Sequence, residues 1–186
     1  MTVGFPGGVL IRPLVQHKDS RGTLAELFRS AWPEAIETVQ WNLVRSSARV
    51  LRGFHVHVRH EDYLVVLHGR ASVGLKDLRY ESPTFAHASM LEFDGEEPAA
   101  IKIPVGVAHG FYFHTPAVHL YGVSEYWDTA DELGCHWRDR ELAIPWPDDT
   151  PIISDRDAQL PPLSDLLIQL DAARAAQGLR ETPHFA

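Results

Sequence analysis

Short runs of apolar residues, separated by turn-forming residues, recur along most of the chain. They occupy residues 38–44, 63–67, 71–78, 101–103, 110–113 and 119–125. Each run has the length of a β-strand, and Gly, Pro, Asp and Ser punctuate the intervals. Gly69 separates the second run from the third at hairpin spacing. This pattern predicts an all-β fold, either a sandwich or a barrel.

Two segments have helical rather than strand character. Residues 30–36 predict a short turn of helix. Residues 164–177 predict a longer helix, because the leucines at 166, 167 and 170 form an apolar stripe, Ser164 can cap the start and Gly178 can end it. We therefore expect one domain over residues 1–186, with a β core at about 10–165 and a short C-terminal helix at about 164–177.

The composition is that of a globular protein, since 45% of the 186 residues are hydrophobic. A formal net charge of −8 disfavours nonspecific nucleic-acid binding, which needs a basic surface. The single cysteine, Cys135, cannot form a disulfide within the chain, and no run approaches the roughly 18 apolar residues of a membrane span. We expect a cytoplasmic protein that binds neither nucleic acid nor membrane.

Two histidine motifs contain the candidate chemistry. The first begins with His55 and His57 and continues to Asp62 and Gly69, and the second is a Pro-x-Gly-x-x-His pattern that ends at His109. Residues i and i+2 of a strand face the same way, so His55 and His57 point into one space if they share a strand. Both motifs resemble those of the cupin superfamily, and this resemblance implies a cupin or jelly-roll β-barrel.

The same resemblance implies a candidate metal site. In metal-binding cupins these motif positions hold a divalent transition metal, which three imidazoles and a carboxylate suit. The candidate ligands here are His55, His57, Asp62 and His109, with Glu61 as a second candidate for the acidic position.

Further short motifs narrow the resemblance to one family. The chain is similar to the dTDP-4-dehydrorhamnose 3,5-epimerase family from about residue 10 to residue 165. The motifs that carry this similarity include Asp19-Ser20-Arg21-Gly22, Gln40-Trp41-Asn42, Arg52-Gly53-Phe54-His55, Asp77-Leu78-Arg79, Ser124-Glu125-Tyr126-Trp127-Asp128, Ile144-Pro145-Trp146-Pro147 and Ile153-Ser154-Asp155-Arg156-Asp157.

The family resemblance implies an isomerase that acts on a nucleotide-linked 4-keto-6-deoxy sugar, with dTDP as the expected carrier. A proton next to the ketone is removed, an enolate forms, and a proton returns from the other face. This chemistry needs a base, an acid and stabilisation of the oxyanion. By resemblance His55 is the base, Asp157 the carboxylate that pairs with it, and Tyr121 the acid, while His109 lines the same cavity.

The resemblance also implies how the substrate is held. Five positions match those that hold the nucleotide and diphosphate, namely Arg21, Glu26, Gln40, Asn42 and Arg52, and Trp127 offers a stacking surface. Members of the family are homodimers in which the N-terminal segment reaches the partner's site, and no cofactor is expected.

Three departures from the family pattern leave a second hypothesis open. Asp62 stands where the family has a lysine, His57 where a glutamine is common, and His17 and Leu24 replace aromatic residues; Trp127 replaces a tyrosine. The first two changes restore the metal-cupin ligand set, so a metal could replace the lysine as electrophile.

The alternative function is therefore a metal-dependent cupin enzyme acting on another small molecule with one divalent transition metal. A non-catalytic ligand-binding cupin is a third hypothesis. His55 cannot serve as both base and ligand, because a metal would occupy the lone pair that a base requires.

Overall fold

The computed structural model describes residues 4–128 and 131–178. Within these ranges the secondary structure is mainly β. The strands are β1 (Leu10–Pro13), β2 (Gln16–Asp19), β3 (Gly22–Ala25), β4 (Gln40–Ser46), β5 (Leu51–Val56), β6 (Asp62–His68), β7 (Arg70–Asp77), β8 (Ala88–Asp94), β9 (Ala99–Ile103), β10 (Val107–Phe113), β11 (Ala117–Val123) and β12 (Leu133–Gly134).

Two five-stranded antiparallel sheets form the body of the fold. The first sheet has the order β1-β9-β6-β11-β4 and the second the order β12-β5-β10-β7-β8, while β2 and β3 form a separate hairpin. Consecutive strands alternate between the sheets at several connections, as in a jelly roll. The all-β, cupin-like fold predicted from the sequence is confirmed.

The main core lies between the sheets. Leu64 and Ile101 of the first sheet meet Val73 and Leu75 of the second, and all four are at most 2% exposed. The outer face of β6 is covered as well, because Tyr63 packs in a second cluster beneath the segment that precedes β4. Burial on both faces explains why residues 63–67 read as a continuous apolar run rather than an alternating one.

All six predicted runs fall in strands, although their ends differ by a few residues. The predicted helical turn at 30–36 is wrong, because this segment forms successive tight turns that place Trp32 and Ile36 against the first sheet. Pro33 lacks an N–H and disfavours a continuous helix here, so tertiary packing decides the local conformation.

Two α-helices follow the sheets, α1 (Asp155–Ala158) and α2 (Leu163–Ala176). The predicted C-terminal helix is confirmed as α2, and Leu166 and Leu170 pack fully buried against the second sheet. Ser164 is not the cap: the Leu163 amide instead donates to Asp139 Oδ2 at 2.8 Å. Gly178 ends the helix as predicted, with a φ of 74°.

The described residues contain no helix that is long and apolar enough to cross a membrane.

Candidate active site

A cavity of about 480 Å³ opens between the two sheets. Side chains from β5 and β10 on one side and from β6 and β11 on the other line it, together with the segment that leads into α1. The residues predicted from the sequence that line it are His55, His57, Asp62, His109, Tyr121, Arg52, Trp127 and Asp157. Both histidine motifs therefore meet in one site.

His55 and Asp157 form a hydrogen-bonded pair in this cavity. His55 lies on β5 and Asp157 on α1, and 2.8 Å separates His55 Nε2 from Asp157 Oδ1. Two contacts hold Asp157 in place. Its backbone amide donates to Ser154 Oγ at 3.0 Å, and the Gly53 amide donates to the carboxylate oxygen Oδ2 at 3.4 Å.

The charge state of this pair follows from its surroundings. Burial alone would raise the pKa of Asp157, but the hydrogen bond from His55 outweighs it and holds that pKa below its usual value. An ionised Asp157 can only accept a hydrogen bond, so His55 Nε2 carries the ring proton and donates it. The lone pair of the neutral His55 ring is then on Nδ1. The arrangement is that of a general base oriented by a carboxylate.

Gly53 brings β5 close to β10 at the site. A Cβ atom on Gly53 would lie 2.8 Å from the His109 carbonyl oxygen, and the φ of 102° also favours glycine. The close approach places His55 directly opposite His109 in the strand register. The Arg-Gly-Phe-His segment is thus fixed by backbone contact as well as by side-chain chemistry.

Tyr121 enters the cavity from the other sheet. It lies on β11 and is half-buried. Burial, and then the charges of Asp62 and Glu132, raise its pKa, so the phenol keeps its proton at neutral pH. A base on one sheet and a proton donor on the facing sheet can act on opposite sides of a substrate held between them.

Sequence reasoning missed Glu132 and His119, which also line the cavity. Glu132 Oε2 lies 3.6 Å from His55 Nδ1 and 3.3 Å from Arg156 Nη1. His119 is two residues before Tyr121 on β11, so strand alternation could have placed it on the same face. Burial lowers the pKa of His119 to about 4, and its Nδ1 has no hydrogen-bond partner in the described part of the chain.

Three other histidines surround Asp62, deeper in the site. His57 Nε2 and His109 Nε2 each lie 3.6 Å from Asp62 Oδ2, and His60 Nε2 lies 4.0 Å from Asp62 Oδ1. Glu61 is not in this cluster, because it pairs with Lys102 Nζ at 2.8 Å. Nitrogen and oxygen donors of these kinds suit a divalent transition metal. The arrangement does not, because the rings of His57 and His60 are stacked, with 3.9 Å between their centroids and 26° between their planes, so their lone pairs do not converge on one point.

The cluster differs from the ligand set predicted from the motifs. Asp157 engages His55 through Nε2, whereas His60, which belongs to neither motif, joins His57 and Asp62. His55 and the Asp62 cluster are therefore two distinct groups that share one cavity.

Four predicted substrate-binding residues do not line the cavity of their own chain. Arg21, in the turn between β2 and β3, pairs with Asp19 and has an 87% exposed side chain, and Glu26 pairs with Arg29 on the surface. Gln40 and Asn42 lie at its edge on β4: Gln40 Nε2 donates to Asn42 Oδ1 at 2.8 Å, and Gln40 Oε1 accepts from the amide of cavity-lining Trp127 at 3.3 Å.

Comparison with known proteins gives a consistent result. The sequence model of the dTDP-4-dehydrorhamnose 3,5-epimerase family matches residues 3–165. A curated relative, the dTDP-4-dehydrorhamnose 3,5-epimerase of Pseudomonas aeruginosa, is 34% identical over 169 residues, which cover 84% of this chain and 91% of the relative.

Solved structures agree with the sequence comparison. The 3,5-epimerase RmlC of Legionella pneumophila, in complex with dTDP-4-keto-L-rhamnose, superposes with a TM-score of 0.81 at 30% identity and covers 87% of this chain and 91% of that one. ChmJ, a 3'-monoepimerase from Streptomyces bikiniensis in complex with dTDP-quinovose, gives 0.79 at 29% identity, with coverage of 94% and 89%.

A two-sheet barrel that holds a histidine–carboxylate pair opposite a tyrosine defines an enzyme class, the acid–base isomerases of cupin architecture. Within that class, the chain belongs to the dTDP-4-dehydrorhamnose 3,5-epimerase family.

Proposed function

We propose that the protein is a sugar-nucleotide 3- or 3,5-epimerase that acts on a dTDP-linked 4-keto-6-deoxy sugar. The observation that carries this proposal is the placement of the His55–Asp157 pair and Tyr121 on facing walls of one cavity. Membership of the family supplies the substrate class, since the named relatives are epimerases of such sugars. The comparisons favour this function over a metal-dependent cupin enzyme on another small molecule and over a binding module.

The proposed catalytic cycle uses His55, Asp157 and Tyr121. His55 removes a proton from the carbon next to the C4 ketone through Nδ1, and Asp157 stabilises the imidazolium that forms. The electron pair of the broken C–H bond moves onto the ketone oxygen as an enolate. The enolate then collapses to the ketone, and its electron pair takes the hydroxyl proton of Tyr121 onto the same carbon from the opposite face, which inverts that centre. Proton exchange with solvent returns Tyr121 to the phenol and His55 to the neutral imidazole.

We assign binding of the nucleotide part of the substrate to Arg52 and Trp127. The Arg52 guanidinium lines the cavity, and its Nε donates to Ser46 Oγ at 3.0 Å, which fixes its direction. A planar guanidinium suits the diphosphate because it donates paired hydrogen bonds. The Trp127 ring, 45% exposed at the cavity mouth, suits stacking against the base.

We also propose a homodimer in which the β2–β3 hairpin of one subunit enters the site of its partner. Arg21 and Glu26 support this assembly, because both are exposed and lie away from the cavity of their own chain. The strand β4 adds an exposed apolar surface at Trp41 and Leu43, which are 41% and 50% exposed.

Mixed dimers test this assembly. A dimer that combines one Arg21→Ala subunit with one His55→Asn subunit should recover one intact site and regain activity that both parent variants lack. A monomeric mass in light scattering, or no recovery in mixed dimers, would overturn the proposal.

The cytoplasm is the proposed location, which a single buried cysteine supports.

Solvent exchange tests the proposed reaction directly. Incubation with dTDP-4-keto-6-deoxyglucose in deuterated water should place deuterium at C3, and at C5 as well if the enzyme acts on both centres. His55→Asn should abolish this exchange. His68→Asn serves as a matched control, because His68 is exposed at the end of β6 and lies outside the cavity. Absence of deuterium at both carbons with the unmodified protein would rule the function out.

A further inference from the structure

We propose that His119 determines substrate specificity by binding the C2 hydroxyl of the sugar, between the diphosphate and the reacting carbon. This inference rests on the proposed epimerase function, because it names the part of that substrate which the cavity wall at His119 recognises. The sequence motifs and the family resemblance assign no role to this residue.

The His119 ring is a buried polar group that lacks a polar partner. The residue lines the cavity and is 3% exposed. Its Nδ1 has no hydrogen-bond partner among the residues that the structure describes. A buried nitrogen without a hydrogen bond costs free energy, and most such groups in proteins are therefore paired. A polar group of a bound substrate would supply the partner that these residues do not.

Three aromatic side chains hold the plane of the His119 ring. Phe113 lies nearly parallel to it, with 5.3 Å between the centroids and 15° between the planes. Phe111 and Tyr121 stack at 5.9 and 6.1 Å, with 23° and 28° between the planes. A half-turn about the Cβ–Cγ bond keeps this plane and exchanges Nδ1 with Cδ2. The ring can therefore direct a nitrogen toward a substrate without losing its stacking contacts.

The surroundings of His119 identify the part of the substrate that it faces. His119 is two residues before Tyr121 on β11, so the two side chains lie on the same face of the strand. Burial, and then the positive charge of Arg52, lower the pKa of His119 to about 4, so the ring is neutral and Arg52 is near it. The proposed substrate extends from its diphosphate at Arg52 to its reacting carbon at Tyr121. The part of the sugar between these two groups lies beside His119.

The chemistry of the sugar selects the C2 hydroxyl. One edge of the ring joins the anomeric carbon to the C4 ketone through C2 and C3, which carry hydroxyls. The other edge contains the ring oxygen and C5, which carries a methyl group. A neutral imidazole offers one N–H donor and one lone pair, and a hydroxyl can pair with either. The hydroxyl-bearing edge therefore faces His119, and C2 is the carbon on it that does not react.

Two substrates that differ only at C2 test this role in the unmodified protein. Deuterium exchange with dTDP-4-keto-6-deoxyglucose should have a kcat/KM about 10- to 100-fold above that of its 2-deoxy analogue, which leaves the His119 nitrogen unpaired. The difference should lie mainly in KM, because the C2 hydroxyl takes no part in the proton transfers. Equal kcat/KM values for the two substrates would overturn the proposal.

A variant connects this discrimination to His119. His119→Phe extends the aromatic stack but removes both nitrogens, so the preference for the C2 hydroxyl should fall to within about threefold. The variant should still act on the 2-deoxy analogue, which shows that it is folded. His68→Phe is the matched control and should keep the full preference, because His68 is exposed and lies outside the cavity. A preference that survives in His119→Phe would refute the assignment.

Binding of an unreactive ligand separates this inference from the proposed function. dTDP-6-deoxyglucose has no ketone, so calorimetry can compare its Kd with that of its 2-deoxy counterpart without any reaction. About tenfold tighter binding of the 2-hydroxy ligand, lost in His119→Phe, supports the role of His119 even if no keto sugar exchanges deuterium. Exchange without discrimination in either assay overturns the role of His119 and leaves the epimerase function intact. Binding of neither ligand overturns both.

Discussion

Replacement of Asp157 by asparagine isolates the contribution of the carboxylate to the base. The amide has nearly the same shape, so the contacts to Ser154 and to the Gly53 amide can persist in altered form. An amide NH₂ would donate to His55 Nε2 across the present 2.8 Å, which forces the ring proton onto Nδ1. The tautomer that results has no lone pair directed at the substrate.

The size of the effect follows from the role of the base. General-base catalysis contributes about 10²- to 10⁴-fold to a rate, so we expect Asp157→Asn to lower kcat by that factor. At 1.36 kcal/mol for each tenfold change, this is about 2.7 to 5.4 kcal/mol of activation free energy. KM should change little, because the proposed nucleotide-binding residues Arg52 and Trp127 line the cavity and are left unchanged.

The assay is deuterium incorporation at C3 under saturating substrate, with Tm measured on the same samples. Asp155→Asn is the matched control, since Asp155 is an exposed carboxylate on the same helix. The reasoning is refuted if Asp157→Asn retains kcat within threefold of the unmodified enzyme, or if Asp155→Asn loses as much.

Three further predictions test other parts of the structure. Tyr121→Phe should keep exchange at C3 but lower formation of the inverted product at least 100-fold, because the proton is removed and not returned from the opposite face; equal losses in both, by NMR, would contradict this role. His119→Phe should change the pH dependence of the unfolding free energy: a buried histidine with a pKa of about 4 against 6.5 when unfolded stabilises the fold above pH 6.5, and that stability, about 3 kcal/mol, is lost as pH falls toward 4. Urea titrations should show the unmodified protein losing about 3 kcal/mol of unfolding free energy relative to the variant over this window, and a difference that does not change with pH would contradict the prediction. Leu170→Ala should cost about 2 to 5 kcal/mol because Leu170 is fully buried, whereas Ile168→Ala, at a 70% exposed position, should stay within about 0.5 kcal/mol; similar losses would contradict the helix packing.

Local patterns were sufficient for much of the fold. Strand runs, the leucine stripe of α2 and Gly178 depend on periodicity and backbone conformation, which a sequence shows directly. The short helical turn predicted at 30–36 is wrong, because the conformation of this segment depends on packing against the first sheet. Likewise, the cap of α2 comes from Asp139, which is 24 residues away from Leu163.

The site was predictable where motif and strand alternation agree, as for His55, His57 and His109. The position of His60 beside Asp62 could not be foreseen, since its hydrogen-bond partner Asp131 lies 71 residues further along the chain. Glu132 beside His55 is a similar case, because no local pattern joins β5 to the segment before β12. Contacts of this kind arise from how the two sheets close on each other.

The placement of His55 on one sheet and Tyr121 on the other has a consequence for the evolution of stereochemistry. The gap between His55 and Tyr121 is spanned by the same interlayer contacts that stabilise the barrel, and Leu64 belongs both to that core and to the cavity wall. Adding or removing a methylene at such positions would change the distance between Tyr121 and a substrate in the cavity, while His55 and Tyr121 themselves stay the same. Laboratory selection for a different epimer should therefore sample the hydrophobic interior as well as the polar lining.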